Sequence, residues 1–370
     1  MTCVTMGTMS ESELTNAADV TVAVLGSGAG TTGVITLDRP RTLNALNLDM
    51  IRGIAAALDR FAADDGIRQV LIRSASPKAF CSGGDVRSVR ETDLAGDRAP
   101  GDTFFLEEYD VNYAIATFPK PVIALLDGIT MGGGMGVSMH ATHRVITPKT
   151  WASMPEAAIG FITDVGISHV FTHLPSQSDE GRPSLELGLW LAATAYRLTA
   201  GDLLWTGLAT HLVPDADVFA DRLFAEGADA AFATAVQESQ YPDSALSEMA
   251  GRIVELMDGV RWPEIAARLR DATDATASLT RDLLAPASPS SLEAMAALLE
   301  FSSQHSLREA LDAEFALGSR ARQLPDFAEG VRAVLVDKTK DAAFVPATLA
   351  EIGDGVRGEI RAVLEELPER

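Results

Sequence analysis

Apolar and polar positions change period several times along this chain, and each change marks an element. Residues 20–25 and 33–38 alternate or cluster β-branched and apolar side chains around Gly26-Ser27-Gly28-Ala29-Gly30, which predicts a hairpin of two strands. From Asn44 to Phe61 the apolar positions recur at helical spacing, with Asn44 or Asn47 available as the N-cap. Gln69-Val70-Leu71-Ile72-Arg73 and the stretch from Pro121 to Leu126 read as short buried strands, each followed by a glycine-rich turn. Polar clusters at 92–103 and 176–184 predict surface loops, the first placed between motif segments as a mobile lid would be.

From about residue 216 the pattern turns helical and rich in Ala, Leu and Glu, through 216–238, 244–258, 262–284, 290–319 and 347–366. Ala285-Pro286-Ala287-Ser288-Pro289 interrupts it as a turn. The reading is therefore a flexible segment at 1–19, an α/β core at 20–215 and a helical C-terminal domain at 216–370.

Composition narrows the function classes. With 370 residues, 47% of them hydrophobic, the chain can bury a large core. A formal charge of −22 repels phosphate backbones and anionic lipid, so neither nucleic acid nor membrane is an expected partner. Two cysteines, Cys3 and Cys81, make no disulfide framework and fit a reducing cytoplasm. No basic segment leads into an apolar run near the start, so no export signal is expected.

The candidate chemistry lies at 121–166. Gly132-Gly133-Gly134 stands between a strand and a helical pattern, where bare backbone amides at a helix start can approach an oxyanion. A tight strand–helix packing turn accounts for the same glycines equally well. Ala79-Phe80-Cys81-Ser82-Gly83-Gly84-Asp85 is a second such turn, in which the Cys81 amide rather than its thiol is the candidate donor. Glu156 sits among apolar residues, so burial would raise its pKa and suit it to acid–base work, unless it is simply a surface carboxylate. Asp164 precedes a helical pattern, whose dipole would favour its ionised form; an ordinary N-cap is the simpler account.

Other constellations point nowhere. Gly26 to Gly30 imitates a dinucleotide fingerprint but is followed by a strand rather than the helix that such a site needs. His140 and His143 are spaced to share a helix face, yet no third ligand follows, so no metal is expected.

Taken together, these motifs resemble the enoyl-CoA hydratase/isomerase (crotonase) superfamily. The likeness rests on Gly33-Val34-Ile35-Thr36-Leu37-Asp38-Arg39-Pro40 with Leu43-Asn44-Ala45-Leu46, on the turn at 79–85, and on Lys120-Pro121-Val122-Ile123-Ala124 leading to the glycine turn. Gly128-Ile129-Thr130-Met131-Gly132-Gly133-Gly134, Met154-Pro155-Glu156-Ala157-Ala158, Asp164-Val165-Gly166 and the segment from Pro325 to Lys338 look like its 3-hydroxyisobutyryl-CoA hydrolase branch. The likeness spans about residues 20 to 352. It implies a ββα spiral core with a helical C-terminal domain, an acyl-CoA substrate, no other cofactor, and a possible trimer or hexamer.

Carried over residue by residue, the resemblance implies an oxyanion hole from the amides of Cys81 and Gly133 and catalytic carboxylates at Glu156 and Asp164. Glu108 falls where the hydrolases place a substrate-contacting glutamate, with Gly132, Gly84 and Asp85 also lining the substrate. Arg39, Arg41 and Lys78 flank the motifs and are candidates for the CoA phosphates. Hydratases of this superfamily carry a second glutamate where this chain has Gly136, so the implied activity is thioester hydrolysis, as in valine breakdown. Hydration or isomerisation, or acyl-CoA binding without catalysis, are the alternatives. After Asp164-Val165-Gly166 the chain departs from the hydrolase pattern with Ile167-Ser168-His169, side chains expected to narrow the pocket or alter the acyl preference.

Overall fold

The computed structural model describes residues 12–17 as backbone, and residues 19–174 and 184–367. The loop expected at 176–184 lies outside the described residues except for Ser184, whose hydroxyl accepts the Leu187 N–H at the start of helix Leu185–Thr194.

Among the described residues ten strands form two sheets. The larger contains β1 (Ser12–Ala17), β2 (Val20–Leu25), β3 (Thr32–Leu37), β4 (Gln69–Ser74), β6 (Val122–Leu126), β8 (His143–Ile146) and β10 (His211–Leu212), in that spatial order. The smaller contains β5 (Ala79–Cys81), β7 (Ile129–Met131) and β9 (Trp151–Ser153), all parallel. β2 and β3 are the expected antiparallel hairpin, and β3, β4, β6, β8 and β10 run parallel. β1 pairs with β2 inside the stretch 1–19 that the sequence marks as flexible.

The chain repeats one step. A strand of the large sheet leads to a strand of the small sheet and then to helical structure: β4, β5 and helix α2 (Val86–Leu94); β6, β7 and helix α4 (Gly133–Met139); β8, β9 and the 3-10 turn Glu156–Ile159. This is the expected ββα spiral.

Burial explains the strand sequences. β6 (Val-Ile-Ala-Leu-Leu) is buried at all its positions, because a parallel sheet is covered on both faces. One face packs on helix α1 (Leu48–Ala63), whose apolar stripe Ile51, Ile54, Leu58 and Phe61 is buried. Asn47 caps that helix, its side chain accepting the Met50 N–H at 2.8 Å, whereas Asn44 is buried and donates to Ser74 and to the Phe80 carbonyl. The other face, with Val34, Leu71, Ile123 and Val145, is covered by Phe219, Leu223 and Phe224. Those residues belong to helix Ala216–Glu226, so the first helix beyond 215 covers the sheet. Later helices, carrying Trp262, Leu292 and Leu317, join the main core.

Residues 92–103 are a correction. Only 95–98 are a loop: 92–94 close α2 and 99–103 open helix α3 (Ala99–Ala116). Pro100 sits in the first turn of α3, where its missing N–H costs nothing. Asp93 and Asp102 both hold Arg322, whose side chain is 1% exposed: Nη2 to Asp93 at 2.6 Å and Nη1 to Asp102 at 2.6 Å. Their polarity serves a buried cation more than two hundred residues away.

Arg322→Ala therefore strands the nearly buried Asp93 carboxylate. We expect it to destabilise the fold by about 3–5 kcal/mol, measured by urea unfolding followed by circular dichroism.

Candidate active site

The parallel small sheet delivers three segments at one level. Cys81 ends β5 in register with Thr130 on β7, and Met131 on β7 pairs with Ser153 on β9. Beyond those ends come Gly83-Gly84, Gly132-Gly133 and Glu156. Leu46 N–H donates to the Gly83 carbonyl at 2.8 Å and Asp85 N–H to the Leu46 carbonyl at 2.8 Å, which ties the 43–46 motif to the first turn.

The Cys81 thiol donates to the Asn44 carbonyl at 3.0 Å, and burial pushes it up to about 12, so the sulfur stays protonated and unreactive. Gly132 turns with φ 48° and ψ −122° into α4. At that helix start the amides of Gly133 and Gly134 have no intrahelical partner.

Three carboxylates converge there. A Cβ on Gly132 would lie 2.8 Å from Glu156 Oε1, and one on Gly133 would collide with Glu108 Oε1, so both glycines are required for the acids to approach. Glu108 reaches from α3, with Gly84 close to its Oε2. The neighbouring Tyr109 donates its hydroxyl to Asp164 Oδ2 at 2.7 Å. Glu108, Glu156 and Asp164 are all buried. Glu108 Oε1, Glu156 Oε2 and both amide atoms of Asn112 have no hydrogen-bond partner among the described residues.

Burial, reinforced by the Asp164 charge, holds Glu108 and Glu156 well above the usual carboxylate range. Burial also lifts Asp164 to about 7, against the opposing pull of the Tyr109 hydrogen bond. Asp164 is not a side-chain cap: Gly166 occupies the N-cap of helix α5 (Ile167–Thr172).

That helix start is capped by a residue the sequence did not reveal. Glu314, fully buried in helix Leu307–Ala321, accepts the Gly166 N–H at 2.7 Å, the Ser168 N–H at 3.3 Å and the Ser168 hydroxyl at 2.5 Å. It is one acid among many on the C-terminal helices, and no local pattern singles it out. Between Asp164 and the capped amides, Val165 takes a left-handed φ of 55°, strained for a β-branched residue. Ser168 also bonds Ser302 at 2.8 Å and His169 stacks on His173, so the expected narrowing by these two side chains gives way to helix packing.

Gly136 has no room for a larger residue. A Cβ there would lie 2.7 Å from Val165 Cβ and 3.0 Å from Asn112 Nδ2. The place where a hydratase would carry its second glutamate is therefore filled.

Arg39 and Asp85 pair with each other at 3.1 Å, and Arg39 also faces Asp19 at 3.5 Å and donates to the Ala45 carbonyl. Arg41 and Lys78 are exposed. α4 ends before His140, whose Nε2 meets the Val165 carbonyl at 2.8 Å, while His143 lies in β8 against His211 and Phe232; the two share no helix face. Among the described residues no group of three or more His, Cys, Asp or Glu is arranged to hold a metal.

The family model described as enoyl-CoA hydratase/isomerase matches residues 32–359. A protein of Xenopus tropicalis named "3-hydroxyisobutyryl-CoA hydrolase, mitochondrial" is 39% identical, covering 88% of this chain and 85% of its own length. The human protein of the same name is 36% identical, covering 90% of this chain and 87% of its own. Among solved structures, a carnitinyl-CoA dehydratase from Mycobacterium thermoresistibile superposes with a TM-score of 0.84 at 34% identity, over 94% of this chain and 96% of that one. An enoyl-CoA hydratase from Rhodobacter sphaeroides 2.4.1 gives 0.82 at 33% identity, over 93% and 97%.

Two consequences of the buried acids are measurable. Glu314→Ala leaves the Gly166 and Ser168 amides without their acceptor and should cost roughly 1–3 kcal/mol in urea unfolding. Raised to about 8 for Glu314 and about 7 for Asp164, from ordinary values of 4.5 and 3.8, these groups keep protons in the folded chain that the unfolded chain has lost. Stability should therefore be fullest below about pH 4 with respect to these groups and fall as pH rises towards 8. Glu314→Gln should flatten the upper part of that slope, and an unchanged slope would contradict the assignment.

Proposed function

The chain belongs to the enoyl-CoA hydratase/isomerase family, and from that premise we propose that it hydrolyses 3-hydroxyisobutyryl-CoA to 3-hydroxyisobutyrate and free CoA. The observation that carries this reading is the filled space at Gly136: Val165 and Asn112 stand where the second acid of a hydratase would be. The hydrolase names of the curated relatives agree with it. The names of the two structural neighbours favour hydration or dehydration instead, which makes that the second reading.

In the proposed reaction the thioester oxygen lies between the amides of Cys81 and Gly133, which stabilise the charge that develops on it. Burial and the Asp164 charge make Glu156 hold its proton more tightly than an ordinary carboxylate, and it must give that proton up before it attacks the carbonyl carbon or activates a water. Asp164, close enough for its charge to act on Glu156, is the acceptor for that proton. If Glu156 attacks, an acyl anhydride forms as the C–S bond breaks, and water then cleaves the anhydride. If it activates water, the hydroxide adds to the carbonyl directly. In both routes the departing thiolate takes up the proton stored on Asp164.

Glu108, Gly132 and Gly84 line the acyl group in this reading, with Asp85 fixing the turn through Arg39. Arg41 and Lys78 are the exposed cations offered to the CoA phosphates. We assign no cofactor beyond the CoA of the substrate. A place in valine breakdown, a cytoplasmic location and a trimer or hexamer complete the proposal; the word mitochondrial describes the relatives. Among the described residues no helix is long and apolar enough to cross a membrane.

Free-thiol release from 3-hydroxyisobutyryl-CoA, assayed beside hydration of crotonyl-CoA, tests the reading. Robust hydration without thiol release would overturn it. Glu156→Gln should lower kcat by about 10²–10⁴-fold. The rate should rise with pH through about 7 as Asp164 ionises, and Asp164→Asn should remove that limb.

A single turnover in water enriched in heavy oxygen separates the two routes. Label in Glu156 marks the anhydride, and its absence counts against that route.

A further inference from the structure

Asn112 is fully buried on α3, and neither its amide nitrogen nor its amide oxygen meets a hydrogen-bond partner among the described residues. Leaving a primary amide unsatisfied in an apolar interior costs several times what a made hydrogen bond returns. Such a group persists where a ligand completes it.

Its position says which part of a ligand. Glu108 and Asn112, four residues apart on α3, lie on one face of the helix, one turn above the other. Gly133 and Gly136 on α4 oppose them: Gly133 faces Glu108 Oε1, and Gly136 lies against Asn112 Nδ2, 3.0 Å from its Cβ position. The two polar side chains therefore stand along the same side of α4, where Val165 also packs against Gly136. From the Gly133 amide to the level of Gly136 is roughly 4.5 Å, three residues at a rise of about 1.5 Å. The oxygen on C3 of an acyl group lies three bonds from the carbonyl carbon, about 3–4 Å for bonds of about 1.5 Å.

We infer that Asn112 is a specificity-determining residue that recognises the 3-hydroxyl of the acyl chain. Its Nδ2–H donates to the hydroxyl oxygen and its Oδ1 accepts the hydroxyl proton. A carboxamide supplies both halves of that exchange at any pH. It also adds no further charge beside three buried acids. An acyl group without the hydroxyl leaves the amide unpaired, so the site discriminates against it by the penalty of an unsatisfied buried group.

The inference rests on the thioester-hydrolase reading and is tested so that the two fail separately. Thiol release is measured for 3-hydroxyisobutyryl-CoA and for isobutyryl-CoA, which lacks the hydroxyl, with the wild-type chain and with Asn112→Ala. We expect kcat/KM for the hydroxylated thioester to fall by about 10–100-fold in the variant. The fall for isobutyryl-CoA should be clearly smaller, so that the wild-type preference collapses. Equal losses on both thioesters would overturn the role of Asn112 and leave the hydrolase reading intact. Release from neither thioester by the wild-type chain would overturn both.

Should Asn112→Ala fail to fold, asparagine-labelled Glu156→Gln protein keeps the question open to measurement. The Asn112 side-chain amide resonances should shift on adding 3-hydroxyisobutyryl-CoA and shift differently with isobutyryl-CoA. Identical responses to the two would count against the inference.

Discussion

The parallel register of the three-stranded sheet is the constraint on which the site depends. β5, β7 and β9 pair side by side and end together, so the segments that follow them emerge at one edge. Parallel strands gather functional loops at their carboxyl ends because successive connections all return on the same side. Here that geometry brings Gly83-Gly84, Gly132-Gly133 and Glu156 into contact from positions more than seventy residues apart. The large sheet, buried on both faces, is the frame that holds the small one.

Around that edge the protein tolerates arrangements that folding alone would avoid. Three acids are buried close together, and two of them keep an oxygen without a partner. Val165 adopts a backbone conformation that β-branched residues resist. The surroundings compensate: Tyr109 steadies Asp164, and Glu314 ties down the amides on the far side of Val165. Strain and unsatisfied polarity that persist only because neighbours over-determine them are what a preorganised site requires.

Much of this was legible in the residues. The hairpin at 20–37 followed from alternation around a glycine run, and the strand that follows the Gly26–Gly30 turn excluded a dinucleotide site. The apolar neighbours of Glu156 offered burial beside a surface carboxylate, and the packing buries it. Other features were not legible, each because its cause lies far along the chain. Asp93 and Asp102 read as loop residues because their partner is Arg322. Asp164 read as a dipole-stabilised anion because its burial depends on packing against α3, and because Glu314 already occupies the helix start. Asn112 carried no signal, being one polar residue in a helix whose buried face only the packing defines.

By itself, the sequence determined the local elements and the chemical groups available: the period of the strands, the glycine turns, the absence of an acid at Gly136 and the acids at Glu156 and Asp164. Local propensity and side-chain chemistry act between near neighbours, so these are visible in order along the chain. Which groups meet, which of them lose water, and therefore which hold protons was decided by tertiary structure alone. Desolvation and charge coupling depend on distance in space, and only the packed sheets, α3 and the C-terminal helix bearing Glu314 set those distances.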